Sequence, residues 1–296
     1  MLRDWKTSST LALLAMVAIT AIWGWTFLVV QDAVSRMPVM DFLATRFIVA
    51  SLAMLALRPL CLRGINRQGF RRGIVLGGAL AMGYILQTFG LQHTSATVSG
   101  FITGMFMVLT PILSWVILRR KTSKSAWLAV AIATVGLALL SLRGWSMGWG
   151  ELLTLGCAFF FALHIVGLGE WSSGENTYGL AWLQITTVAI ICLAASTPGG
   201  FTLPPDGTVW MAVFITSILA TAAAFYVQTW AQSLISPTRM GVVMTMEPVF
   251  AGLFGVMLGG DRLSTRIILG AACVFLAILL SGLRDRKTSV QVRLEA

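Results

Sequence analysis

The sequence predicts an all-α membrane protein with ten transmembrane helices, built as two inverted five-helix repeats with both termini in the cytoplasm. Composition is the first observation behind this fold class: 57% of the 296 residues are hydrophobic and 11% are charged, whereas an average soluble domain has about 25% charged residues. The second is a series of ten apolar segments, each close to the roughly 20 residues that a helix needs to cross a bilayer. The third is a sequence pattern that occurs in both halves of the chain.

The apolar segments follow one another along the whole chain and are separated by short polar breaks. The first comes after Arg3 and Lys6. It is longer than the apolar core of about 7–15 residues in a cleavable signal peptide, so we expect it to be retained as a helix. No break is long enough for a soluble domain. The predicted spans cover approximately residues 7–30, 42–58, 73–92, 96–118, 125–142, 151–169, 178–197, 208–230, 239–258 and 266–283.

The positive charges indicate how the chain lies in the membrane. Most of the 21 Lys and Arg residues fall in polar breaks on the same side as the N-terminus, chiefly in residues 58–72, 119–124 and 284–293. The positive-inside rule places that side in the cytoplasm. The net charge of +10 is therefore a property of the loops, and nucleic-acid binding is not expected. The four cysteines form no disulfide framework and are expected to be free thiols.

Residues 1–147 and 148–296 carry similar residues at a nearly constant separation. Each half holds five spans, an odd number, so the second half would start on the opposite side of the membrane and the repeats would be inverted. Inverted repeats are common in secondary transporters, whose substrate site lies near the midplane between them. The matching positions are Trp23-Gly24 with Phe161-Ala162, Arg46 with Gln184, Gln87-Thr88 with Gln228-Thr229, Pro111 with Pro248, and Leu139-Leu140-Ser141 with Leu279-Leu280-Ser281.

One acid interrupts the ninth span. Glu247 lies near the middle of this span and directly precedes Pro248. A charge at such a depth costs about 2.5–3.5 kcal/mol on insertion scales, so these residues usually face a bundle interior or a water-filled cavity. Proline lacks the N–H that would bond four residues back, which weakens the helix at Met244. Two hypotheses stay open: Glu247, Pro248 and the repeat-related Pro111 serve coupling and gating, or Glu247 only hydrogen-bonds a neighbouring helix.

Other polar and aromatic side chains inside the spans are candidates for a substrate site. Tyr84, Gln87 and Thr88 share one face of the third span, and Gln228 repeats part of this pattern in the eighth span. Amides and hydroxyls in lipid need partners, so these faces should point inward, toward a substrate or another helix. Aromatic rings can line a cavity or lie at the membrane interface. The candidate substrate-binding residues are Trp23, Tyr84, Gln87, Thr88, Trp115, His164, Tyr226, Gln228 and Trp230.

Arg46 and His164 are further ionisable candidates inside the predicted spans. Arg46 lies a little inside the outer end of the second span, so its long side chain is expected to reach outward to the interface in a structural role. His164, in the middle of the sixth span, can either hold and pass a proton near neutral pH or hydrogen-bond another helix.

Four stretches carry a family resemblance: Ile22 to Phe27, Arg46, Met246 to Gly252, and Gly260 to Ser264. With these in order, nearly the whole chain resembles the drug/metabolite transporter superfamily, in particular its EamA-type ten-helix exporters. The resemblance implies a central cavity lined mainly by spans one, three, four, six, eight and nine. It also implies export of amino acids or related metabolites. The family often has Gly-Glu after spans four and nine, whereas this chain has Arg119-Arg120-Lys121 and Gly260-Asp261.

The sequence favours a secondary transporter over an enzyme. It has no H-E-x-x-H motif, no phosphate-binding glycine loop and only two histidines, far apart, so neither catalysis nor a metal or other cofactor is expected. We expect a monomer in a bacterial-type inner (plasma) membrane that exports amino acids or related small metabolites by alternating access, with Glu247 available for proton coupling. A multidrug or other metabolite exporter and a passive channel or facilitator are the alternatives.

Overall fold

The computed structural model describes residues 2–119, 127–128, 131–132, 134–136, 139, 142–143, 146–172, 176–234, 240, 243–244, 246–262 and 264–283. Most of this part of the chain is helical. The α-helices are α1 (Leu2–Val34), α2 (Val39–Leu57), α3 (Arg67–Leu91), α4 (Ala96–Thr103), α5 (Phe106–Leu118), α6 (Trp149–Trp171), α7 (Thr177–Ser196), α8 (Gly207–Ser217), α9 (Ala224–Leu234), α10 (Met246–Met257) and α11 (Thr265–Leu283).

Seven helical segments are long and apolar enough to cross a membrane, and they coincide with predicted spans one to four and six to eight. They are Thr10–Val34, Val39–Leu57, Arg67–Leu91, Ala96–Leu118, Trp149–Trp171, Thr177–Gly199 and Gly207–Leu234. Shorter apolar helices, Met246–Met257 and Thr265–Ala277, lie in the ninth and tenth predicted spans. Half of the predicted fifth span, part of the start of the ninth and the basic segment 284–293 lie outside the described residues. The chain is a multi-pass helical membrane protein. The count of ten and the side of each terminus stay predictions.

Polar side chains mark the start of several helices. Ser95, Asn66, Asn176 and Asp206 each accept a hydrogen bond from the backbone N–H three residues further on, over 2.7 to 3.3 Å. This bond satisfies one of the N–H groups that a helix leaves unpaired at its first turn. At Asp206 the same N–H, with the nearby Arg36 guanidinium, holds the pKa of the carboxyl below its usual value. Asp206 is therefore charged at neutral pH and links the ends of α1 and α8 through Arg36.

Two predicted spans that read as single helices are interrupted. The fourth is divided at Gly104 into α4 and α5, and α5 contains Pro111, which cannot donate a helical hydrogen bond. In the eighth, a π-helix at Ile218–Ala223 joins α8 to α9. A π-turn leaves a backbone carbonyl available to a side chain, and such turns are frequent at functional sites.

A two-residue antiparallel ladder precedes α6. Leu142 pairs with Met147, and Arg143 pairs with Ser146. The stretch from Gly144 to Gly148 matches the pattern G-x-S-x-G, which in hydrolases holds a serine on a sharp turn between a strand and a helix. Here Ser146 lies within the paired ladder instead, so the context of a hydrolase nucleophile is missing.

Two carboxylates tie loops to helix starts by accepting both the N–H and the hydroxyl of one threonine. Asp261, after α10, accepts from the N–H of Thr97 at 3.0 Å and from its hydroxyl at 2.5 Å. Asp41, in the first turn of α2, accepts from the N–H of Thr202 at 3.1 Å and from its hydroxyl. Asp261, which departs from the family pattern, thus fixes the start of α4 against the end of α10.

Glycines allow the closest helix contacts. A Cβ at Gly24 would lie 2.6 Å from the Phe250 Cβ, which places α1 directly on α10. A Cβ at Gly100 would lie 2.4 Å from the Ala251 Cβ, which places α4 on the same helix. Small residues let membrane helices approach in this way, because packing and not the hydrophobic effect holds them together in lipid.

Two adjacent glycines of α3 should respond in opposite ways to alanine. In Gly77→Ala the new methyl group would lie 2.5 Å from the Thr187 Cβ and 2.8 Å from the Gln184 carbonyl oxygen, so we expect a destabilisation of about 1–3 kcal/mol. In Gly78→Ala it meets no atom within 4 Å, so the helix should be unchanged or stabilised by up to about 1 kcal/mol. Thermal unfolding of the two purified variants measures the difference. Equal melting temperatures would contradict the close contact between α3 and α7.

The four cysteines are free thiols, as predicted from the sequence. Cys61, Cys157 and Cys192 are buried, and Cys273 on α11 is half-buried. Burial also raises the pKa of Cys61, which lies in the loop between α2 and α3.

Candidate functional site

A cavity lies among the helices and collects residues from both halves of the chain. Its polar and charged lining residues include most of the sequence candidates. They are Thr26, Arg46, Tyr84, Gln87, Thr88, His164, Gln228 and Glu247. The rest of the wall is apolar: Trp23, Phe27, Val30, Leu80, Leu91, Phe106, Phe161, Ile165, Phe225 and Met244. The lining residues come from predicted spans one, three, four, six, eight and nine, as the family resemblance implies, and Arg46 of α2 lines the cavity in addition.

The cavity is narrow in this conformation. Its volume is about 60 Å³. Small-molecule sites usually occupy about 300–1,000 Å³. The cavity is therefore too small for a metabolite in this conformation, and the helices that line it must move apart when one enters.

Aromatic rings form one continuous wall around Tyr84. The Tyr84 ring lies edge-on to Phe47 at 5.0 Å, to Phe161 at 5.3 Å and to Phe225 at 6.1 Å between ring centres. Trp23 joins this wall through Phe225, at 5.8 Å. Such edge contacts hold rings in fixed orientations, so the wall is a rigid surface for an apolar part of a substrate.

The π-helix fixes two cavity side chains. The indole N–H of Trp23 donates to the Ala220 carbonyl at 2.8 Å, and the Nε–H of Arg46 donates to the Thr221 hydroxyl at 2.9 Å. The prediction that the Arg46 side chain reaches outward is therefore wrong. Its side chain does not reach outward to the interface but is 3% exposed and faces the cavity, because the π-helix offers a hydroxyl on the inner side of α2.

His164 is held by an amide from a neighbouring helix. Its Nε2 lies 2.6 Å from the Gln184 Oε1, while the Gln184 amide donates from Nε2 to the Leu180 carbonyl at 2.9 Å. With the amide oriented by that second bond, Oε1 must accept, so His164 donates from Nε2–H. The ring is thus fixed as a donor toward Gln184, and its lining of the cavity and its packing role coexist.

The predicted glutamines and threonine also bond to other protein groups. Gln87 donates to the Thr103 hydroxyl at 3.3 Å, and Gln228 donates to the Gln232 amide oxygen at 3.1 Å. The Thr88 hydroxyl donates to its own helix, at the Tyr84 carbonyl. Each amide keeps further hydrogen-bonding capacity, so these residues can serve packing and a substrate together.

Glu247 is buried, with 6% exposure, and lines the cavity. Within the part of the chain that the structure describes, its carboxylate has no ion-pair or hydrogen-bond partner. Pro248 packs on α4, where its Cγ would lie 3.0 Å from a Cβ at Gly104. Pro111 lies in α5 and does not line the cavity. The gating roles of the two prolines stay predictions.

Three predicted substrate-binding residues lie away from the cavity. Trp115 is 45% exposed and packs edge-on to Trp127, and Tyr226 is 39% exposed and packs on Tyr178. Trp230 is half-buried against the hydrophobic core. Their contact with a substrate stays a prediction.

Among the aromatic lining residues that the sequence did not single out, two have a signal in the sequence. Phe161 lies three residues before His164, and Phe225 lies three residues before Gln228. Residues three apart share a helical face. The faces defined by the polar candidates therefore contain these rings as well.

Comparisons with known proteins agree with this architecture. A model of the EamA-like transporter family matches residues 10–142 and again residues 148–283. An uncharacterized transporter of Archaeoglobus fulgidus is 35% identical over 274 residues, which cover 92% of this chain and 85% of that protein. The uncharacterized inner membrane transporter YedA of Escherichia coli K12 is 25% identical over 289 residues, which cover 90% and 89%. One protein of known crystal structure has the same fold, with a TM-score of 0.68 at 18% identity over 94% of this chain and 99% of that one.

Proposed function

Because the chain belongs to the EamA-like transporter family and is a membrane transporter, we propose that it exports small metabolites, amino acids or related compounds, by alternating access around the cavity. The observation that carries this proposal is the composition of the cavity wall. It combines a rigid aromatic surface with a few convergent polar groups, which is the usual composition of a site for a small, partly apolar molecule. Among the described lining residues Arg46 is the only Lys or Arg, so a phosphorylated or polyanionic substrate is not favoured.

Helix packing supports alternating access. In the first half α1 packs on α10 and α9, and in the second half α6 packs on α4, α5 and α3. The first helix of each half therefore packs on the later helices of the other half. The second helices of the two halves, α2 and α7, pack on each other. Such an arrangement supports inverted repeats, whose rocking exposes a central site to one side at a time.

The alternatives differ in what they require of the cavity. A multidrug exporter for lipophilic cations would use the same aromatic wall and Glu247. A passive channel requires a continuous path, and the close contacts of Gly24 and Gly100 with α10 disfavour one in this conformation.

Counterflow in proteoliposomes tests the proposal. Vesicles loaded with unlabelled L-leucine should take up labelled L-leucine transiently above equilibrium, with a rate that saturates. Trp23→Phe removes the indole N–H that bonds the Ala220 carbonyl, and we expect it to weaken apparent affinity by about threefold to tenfold.

Trp210→Phe is the matched control, because this ring packs beside Phe214 away from the cavity. It should leave counterflow unchanged. Uptake that rises linearly with concentration and shows no counterflow would indicate a channel. Counterflow of tetraphenylphosphonium, with none for a panel of amino acids, would favour the multidrug alternative.

A further inference from the structure

Arg46 is a buried cation in a cavity of low polarity. Its guanidinium carbon lies 4.8 Å from the centre of the Tyr84 ring and 5.3 Å from that of Phe47. Its Nε–H donates to the neutral Thr221 hydroxyl at 2.9 Å, and the Tyr84 side chain is a second neutral partner. Arginine stays protonated in proteins, so this charge is permanent.

No acidic residue in the described ranges forms an ion pair with Arg46. Asp32 and Asp206 form ion pairs with Arg36 instead. Glu247 lines the same cavity, yet it is not within ion-pair distance of Arg46. A buried charge without a counter-ion is unfavourable, and its retention suggests that an anion occupies this position during the transport cycle.

The geometry leaves the guanidinium available to such an anion. The bond from Nε to Thr221 in the π-helix and the contact with the Tyr84 ring fix the plane of the group. A guanidinium binds a carboxylate through two parallel N–H donors, and a fixed plane lowers the entropy lost on binding. The aromatic wall around Tyr84 can then cover the apolar remainder of the same molecule.

We propose that Arg46 binds the carboxylate of the transported molecule, so that the cavity selects small monocarboxylates, including amino acids, over their uncharged or cationic derivatives. This inference rests on the proposed transport function and narrows its substrate class. A purely structural Arg46, which only joins α2 to the π-helix, would hold the fold together without distinguishing a carboxylate from an amide.

The test compares acids with their amides on purified full-length protein. The probes are leucine, phenylalanine, threonine and 4-methylpentanoate, each paired with its amide, and binding is measured by thermal stabilisation and by competition with counterflow. In the wild type, at least one acid should bind roughly tenfold to a hundredfold more tightly than its amide, the effect of a charge-assisted hydrogen bond. Arg46→Gln should bring that ratio close to one, and Arg46→Lys should restore part of it.

Arg63→Gln, which removes an exposed guanidinium in the loop after α2, should keep the wild-type ratio. Equal binding of acids and amides by the wild type overturns the proposal, and so does a wild type that binds none of the acids. Both results come from the wild-type protein alone, so they do not depend on the folding of a variant. An unchanged preference in Arg46→Gln also overturns it. Counterflow of a non-carboxylate such as tetraphenylphosphonium would in each case leave the transporter function standing.

Discussion

The Glu247→Gln variant should remain folded and lose the coupling of transport to a pH gradient. Burial disfavours the charged form of an acid, so the cavity carboxyl can take up and release protons as its access alternates. An exchange of one proton per substrate would let a gradient of one pH unit drive about tenfold accumulation, since one unit corresponds to about 1.4 kcal/mol. The amide has the shape of the acid but cannot titrate. Because Glu247 has no partner within the described ranges, the substitution removes no recorded contact.

The measurement is substrate accumulation in proteoliposomes with and without an imposed pH gradient. We expect wild-type accumulation to require the gradient, while Glu247→Gln retains counterflow and accumulates nothing. Glu151→Gln is the matched control, because Glu151 is also a buried glutamate of an apolar helix but lies outside the cavity. If Glu247→Gln keeps the pH response of the wild type, its role is in packing. If it fails to fold, the conclusion is the same.

Gly100→Ala should destabilise the protein, and the second substitution Ala251→Gly should restore its stability and transport. Gly100→Ala alone places two methyl carbons 2.4 Å apart between α4 and α10. We expect a destabilisation of about 1–3 kcal/mol and a loss of most transport, because the added methyl group would force α4 and α10 apart. In the double variant Gly100→Ala with Ala251→Gly, the methyl group lies on α4 instead of α10. Its nearest neighbour on α10 is then the Cα of residue 251, at 3.9 Å.

Thermal unfolding and counterflow of the two single variants and the double variant form a cycle. The interaction energy should fall within about 0.5–3 kcal/mol, with the double variant close to the wild type. Additive losses would mean that Gly100 is required for a reason other than its distance from Ala251.

Much of the cavity could be predicted because polar side chains on an apolar membrane helix are unfavourable in lipid and face the bundle interior. Glu247, Gln87 and His164 line it for that reason. Tyr226 and Trp230 lie two residues before and after Gln228, and two residues along an α-helix correspond to a rotation of about 200°. Their rings therefore point away from the face that carries Gln228.

Arg46 could not be placed from the sequence. Its position near a helix end is compatible with a side chain that reaches outward, and the competing partner, Thr221, lies in a π-helix. Nothing in the run from Ile218 to Ala223, which has neither proline nor glycine, distinguishes a π-turn from an ordinary α-helix. The tight contacts at Gly24 and Gly100 likewise depend on which helices pack against each other. A single sequence does not specify which helices form these pairs.

Burial protects native thiols of this chain from labelling reagents, which lowers the background signal when a reporter cysteine is added. Maleimides react with thiolates that water can reach, whereas Cys61 is buried with a raised pKa and Cys157 and Cys192 lie inside the bundle. Cys273 on α11 is half-buried, so labelling of the unsubstituted protein sets the background against which single reporter cysteines are read. Arg63→Cys and Leu203→Cys lie in exposed loops that the charge pattern assigns to opposite membrane faces, so a membrane-impermeant reagent applied to intact cells would map the orientation of the otherwise unmodified protein.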